Sequence, residues 1–141
     1  MSHYRIAFNL LCAVLVVGCS NSIKVSGTVV FDDDQSPLTV GTVLLQSNTH
    51  VAKGQIDSAG HFRISSVNND DGVPPDVYRV AVLGAVKMLE RGINESTGMP
   101  VSREPILLIQ SKYMDPKTSG ITFDTSKDKV LNIVVERASP K

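Results

Sequence analysis

Ile23-Lys24-Val25-Ser26-Gly27-Thr28-Val29-Val30-Phe31 puts an apolar or small residue at every odd position and, as far as Thr28, a polar one at every even position. This two-residue period marks a β-strand with one buried face. Asp32, Asp33 and Asp34 follow, then Ser36 and Pro37, which is turn chemistry. Short apolar runs and turns go on alternating downstream. Val40 to Leu45 is rich in β-branched residues, and His50 to Asp57 reads as a further strand. The turn Asp57-Ser58-Ala59-Gly60 precedes a short strand in which Phe62 and Ile64 face one way and Arg63 and Ser65 the other. After the polar loop Asn68 to Gly72, Val77 to Leu83 sets Tyr78, Val80 and Val82 against Arg79 and Ala81. The last strand, Val130 to Glu136, turns Leu131, Ile133 and Val135 to one face and Val134 to the other.

Six to eight short strands and no sustained helical period predict an all-β chain. The expected architecture is an antiparallel Greek-key β-sandwich forming a single domain over residues 23–137. Gly84 to Pro105, with three glycines and two prolines, reads as an exposed excursion, with at most a helical turn over Val86 to Arg91. Ile106 to Tyr113 reads as extended chain.

The 141 residues, 42% of them hydrophobic, suffice for one core without metal or disulfide staples. Both cysteines, Cys12 and Cys19, lie in the first nineteen residues, so the sandwich has no disulfide framework and no Cys-based metal site. The chain has 14 basic and 14 acidic residues; removing residues 1–18 takes away Arg5 alone, leaving 13 against 14, a net charge of −1. With no basic stripe, no Trp and only 4 Phe plus 3 Tyr, no partnership with nucleic acid is expected.

Residues 1–18 read as an export signal. Arg5 supplies a positive n-region, and Ile6 to Val17 is an apolar h-region interrupted by Asn9. Its dozen or so residues fall short of the roughly 20 that span hydrocarbon as a helix. The run ends in Val16-Val17-Gly18-Cys19, which resembles the lipobox of bacterial lipoproteins. The resemblance implies cleavage before Cys19, diacylation of its sulfur, acylation of the new amine, and a tether over residues 19–22. Several acyl chains together bury enough methylene to hold a protein at a membrane durably. Ser20, standing where Asp retains some lipoproteins at the inner membrane, implies an exported protein, outer-membrane or periplasm-facing.

Four segments, in this order, resemble the carboxypeptidase regulatory-like, or transthyretin-like, β-sandwich domain, particularly as it occurs in small planctomycete lipoproteins. They are Val25-Ser26-Gly27-Thr28-Val29, Asp57-Ser58-Ala59-Gly60-His61-Phe62, Gly72-Val73-Pro74-Pro75-Asp76-Val77-Tyr78-Arg79-Val80, and Lys112-Tyr113 with Asp115-Pro116 and Thr118-Ser119-Gly120. Asp76 departs from the family's usual Gly, and Gln110 from its frequent Pro. The matched residues also have scaffold roles that need no ligand. Gly27 and Gly60 suit tight turns or close backbone approach, Asp57 suits an Asx-turn, and Pro74 and Pro75 set the angle at which Tyr78 enters the core.

In carboxypeptidases this domain is an appendage without catalytic residues, so the resemblance implies a non-enzymatic protein with no cofactor and no metal. The related hydroxyisourate hydrolase uses a C-terminal Tyr-Arg-Gly-Ser motif, whereas this chain ends Arg137-Ala138-Ser139-Pro140-Lys141. Asp32 to Asp34 and Asn68 to Asp71 offer oxygen ligands without a known calcium-loop spacing, and read as solvated turns. His50 and His61 lack a designated third ligand and read as surface residues. The expected function is therefore a membrane-anchored envelope module that binds protein or glycan. The alternatives are a transthyretin-like binder of a small ligand, for which few aromatic residues are available to line a pocket, and a hydrolase.

Overall fold

The computed structural model describes residues 21–65 and 72–139. The signal segment 1–18, Cys19 and the loop residues Asn68 to Asp71 lie outside them. Nine strands are described: β1 (Ser26–Phe31), β2 (Thr42–Gln46), β3 (Val51–Gln55), β4 (His61–Arg63), β5 (Val77–Leu83), β6 (Val86–Ile93), β7 (Pro100–Leu107), β8 (Ile121–Asp124) and β9 (Val130–Val135). A single 3-10 turn, Ser111–Met114, lies between β7 and β8.

The strands form a three-stranded sheet, β4-β1-β9, a four-stranded sheet, β3-β2-β5-β8, and a separate ribbon, β6-β7. The two larger sheets share one core. Val25, Val29, Phe31, Phe62 and Ile133 from the first sheet and its flanks pack in the same cluster as Val43, Leu45, Tyr78, Val80 and Val82 from the second. The alternation read in β1 and β9 is the alternation of burial: Leu131, Ile133 and Val135 are buried and Val134 is exposed. The chain is all-β and sandwich-like.

Three expectations are corrected. First, the pairing is not antiparallel throughout. β9 lies parallel to β1, from Ser26 opposite Val130 to Phe31 opposite Val135. After β8 the chain crosses from the four-stranded sheet to the three-stranded one and arrives running in the direction of β1. Gly27 permits the fit, because a Cβ there would run into the Leu131 carbonyl oxygen. Second, Ala81 is buried rather than outward. β5 lies inside its sheet, between β2 and β8, and the Ser111–Met114 turn lies close to it. That turn also replaces the end of the extended run expected over Ile106 to Tyr113. Third, Gly84 to Pro105 contains no helical turn and is not irregular: it makes up most of the β6-β7 ribbon.

The sandwich has two distinct ends. Ile23 bridges Val73, Ser26 N–H donates to the Lys129 carbonyl, and Asp76 N–H donates to the Thr125 hydroxyl, which gathers the starts of β1, β5 and β9 at one end. At the other end β1 passes into Asp32 to Asp34, β9 into Arg137, and β5 into Ala85 and the ribbon.

Candidate interaction site

Two surfaces are built by long-range pairing. The first is the outer face of the three-stranded sheet. Thr28 on the central strand stands between His61 on β4 and Asn132 on β9, and Ser26 stands between Arg63 and Val130. Ser26 and Thr28 are shorter than the flanking His61, Arg63 and Asn132, so the face is a shallow concavity of about 610 Å3, open to solvent, whose lining also includes Asp57 and Gln55. Its polar groups are partly committed to one another. The Thr28 hydroxyl donates to Asn132 Oδ1 at 3.0 Å, and His61 Nδ1 lies 3.9 Å from Asp57 Oδ2. The Asp57 Oδ1 accepts the His61 and Ala59 N–H groups at 2.9 and 2.8 Å, the expected Asx-turn. Those bonds hold its carboxyl below the ordinary range.

The second surface is the ribbon. Its root is firm: Ala85 and Ile109 are fully buried, Leu108 N–H donates to the Ala85 carbonyl at 2.9 Å, and Ala138 N–H donates to the Leu108 carbonyl. Beyond the root, β6 and β7 pair with each other and barely touch the sandwich. At the tip, the Asn94 side chain accepts the Ser96 N–H and its carbonyl the Gly98 N–H, which reverses the chain. Two cross-strand ion pairs, Arg91–Glu104 at 3.4 Å and Arg103–Glu90 at 3.1 Å, hold the middle. Met88, Ile93, Met99, Val101, Ile106 and Leu107 remain exposed, Val101 by 69%. These solvated apolar groups on one element make the ribbon the second candidate interaction surface.

The other sequence-marked residues are scaffold. Tyr78 is fully buried and its hydroxyl donates to the Pro74 carbonyl at 2.9 Å. In the Lys112 to Gly120 segment, Tyr113 is buried, Asp115 accepts the Lys117 N–H, and the Ser119 hydroxyl donates to the Val80 carbonyl. The acidic turn after β1 faces Arg137, which donates to Asp33 and Asp34. His50 precedes β3 in the four-stranded sheet and contacts the Thr49 hydroxyl at 2.7 Å; His61 opens β4 in the other sheet. Among the described residues no group of three or more His, Cys, Asp or Glu side chains converges as a metal site. The displaced carboxyls of Asp34, Asp57, Asp76 and Glu136 all move downward, each held by hydrogen bonds: Ser36 for Asp34, backbone N–H groups for Asp57, Ser47 for Asp76 and Lys112 for Glu136. None of these four is poised as a general acid at neutral pH.

No family model and no curated protein matches the chain. A solved structure, the 9R-lipoxygenase from Cyanothece PCC8801, aligns at 17% identity over 79% of this chain and 16% of that one, with a TM-score of 0.33. A likeness of that size carries no argument about fold or activity.

Proposed function

We propose that the chain is a non-enzymatic, lipid-anchored envelope protein whose sandwich is an interaction module for a protein or a glycan. The observation that carries this reading is the β6-β7 ribbon, an element that adds nothing to the core yet displays apolar side chains at the end of the sandwich away from Ile23. Cys19 is the anchoring residue in this reading. Only four residues, 19–22, precede Ile23, and four extended residues reach about 14 Å, so acylation would hold the Ile23 end close to the lipid headgroups. The ribbon, with strands of eight residues, then extends about 27 Å from the far end into the compartment. The concave outer face offers hydroxyl, amide and imidazole groups suited to glycan hydroxyls. The resemblance to appendage domains supports the non-enzymatic part.

The test has two arms in intact cells. Cys19→Ala should abolish palmitate labelling and move the protein to the soluble fraction; unchanged membrane partitioning overturns the anchor. Photo-cross-linking groups placed at Val101 on the ribbon and at Asn132 on the concave face should yield discrete adducts with envelope protein or glycan. No adduct at either position overturns the interaction module.

A further inference from the structure

We infer that the outer edge of β6, at Met88 and Glu90, is a strand-addition site for an extended segment of another protein. The inference rests on the interaction-module reading and is independent of Cys19.

The ladder fixes which backbone groups are free. Leu108 N–H donates to the Ala85 carbonyl, so Ala85 and Leu108 form a hydrogen-bonded pair. In an antiparallel ladder such pairs alternate with non-bonded ones, so Lys87·Ile106, Leu89·Glu104 and Arg91·Ser102 point their backbone groups inward. Met88 and Glu90 therefore turn their N–H and C=O groups away from β7. Pro105, which has no N–H, sits opposite Met88, where the ladder requires none. The same proline removes a donor from the outer edge of β7, a recognised way of protecting an edge strand. No proline lies in β6. One edge of the ribbon is blocked and the other is open.

The side chains beside the open edge define the occupant. Met88 is half-exposed and shares its face with Val86, Pro105 and Leu107. Lys87, on the opposite face, stands outside both ion pairs of the ribbon. A matching strand is an extended polypeptide with an apolar residue beside Met88 and, on the alternate face, an acidic residue beside Lys87. A second copy fits poorly. Antiparallel self-pairing centred on Leu89 sets Lys87 against Arg91, and centring on Glu90 sets that carboxylate against its twin. Centring on Met88 sets Lys87 against Leu89 and gains no charge pairing.

The probe is a synthetic peptide of roughly nine residues in which valine alternates with glutamate and threonine, added to the full chain in detergent micelles. Amide hydrogen exchange at Met88 and Glu90 should slow by about fivefold or more with the peptide, and not with the same peptide N-methylated at alternate amides. Met88→Pro, on an edge that adds nothing to the core and with no amide hydrogen left at 88, should abolish the slowing at Glu90. Lys87→Glu, which leaves the backbone intact, should weaken it severalfold. No slowing at saturating peptide, equal slowing in Met88→Pro, or slowing that follows protein concentration without peptide overturns the proposal, the last assigning the edge to a second copy. If the peptide fails while cross-links at Asn132 still form in cells, the interaction module stands and only this edge is lost.

Discussion

The guanidinium of Arg137 lies 3.7 Å from the centroid of the Phe31 ring, so a side chain two residues beyond β9 closes over the end of β1. From there its Nε donates to Asp33 Oδ2 at 2.7 Å, and its terminal nitrogen donates to Asp34 Oδ2 at 3.0 Å and to the Ser36 hydroxyl at 2.9 Å. The acidic turn and the end of the parallel strand are thereby joined through one side chain.

A pH dependence follows with a definite sign. The Asp34 carboxyl is lowered from 3.8 to about 2, first by the Ser36 hydroxyl and N–H, then by Asp33 and Arg137. A group whose folded pKa lies below its unfolded one contributes stability that is complete above the unfolded value and fades as pH falls through the folded one. Unfolding temperature should therefore owe nothing to Asp34 titration between pH 7 and 5, and should decline as pH drops from about 4 toward 2. Ser36→Ala, which removes the hydroxyl bond and keeps the N–H one, should flatten that acid limb more than Arg137→Gln does, because the hydroxyl bond is the largest single cause. Carbon-detected titration of the Asp34 carboxyl in the three proteins checks the order.

Gly27 is the position at which a single methyl group should do most harm. It stands opposite Phe62 on one side and Leu131 on the other, and an added Cβ meets the Leu131 carbonyl oxygen, a backbone atom that cannot swing aside. Gly27→Ala should cost about 2–3 kcal/mol in denaturant unfolding, with faster amide exchange along β9. Thr28→Ala loses only the solvent-facing bond to Asn132 and should change stability by about 0.5 kcal/mol or less. Comparable losses in the two variants would contradict this assignment of the close contact.

How much of this was legible in the chain depends on whether a segment has one buried face. β1, the Tyr78-Val80-Val82 face of β5, and β9 each bury one side, and their period of two says so in the sequence. Ala81 breaks the rule: it is buried on the face where the period expects an outward side chain, and the turn that lies near β5 comes from thirty residues downstream, beyond any local pattern. The parallel direction of β9 is likewise a property of the path between sheets. The acidic residues 32–34 announce a turn, but their partner Arg137 lies about a hundred residues away. The concave face needs His61, Thr28 and Asn132 in one row, an arrangement that only the pairing creates. The ribbon was hidden for the opposite reason: with both faces solvated it has no apolar period. Its mark was charge order, Glu90-Arg91 mirrored by Arg103-Glu104 about the Asn94 to Gly98 turn.

That solvated character makes the ribbon separable. Every residue of the core cluster lies outside 86–107, while Ala85 and Ile109 at its root belong to the cluster. Ala85 and Leu108 already form a hydrogen-bonded antiparallel pair, the geometry that a two-residue Asn-Gly turn closes. Replacing Val86 to Leu107 by Asn-Gly should therefore leave the sandwich folded, with near-ultraviolet dichroism of the buried tyrosines retained and the unfolding temperature shifted by no more than about 5 °C. The same variant should lose the adducts formed from the ribbon in cells and keep those formed from Asn132. A fall of about 15 °C or more would mean that the ribbon holds the sandwich together, and its exposed methionines and valines would then need a structural explanation in place of a recognition one.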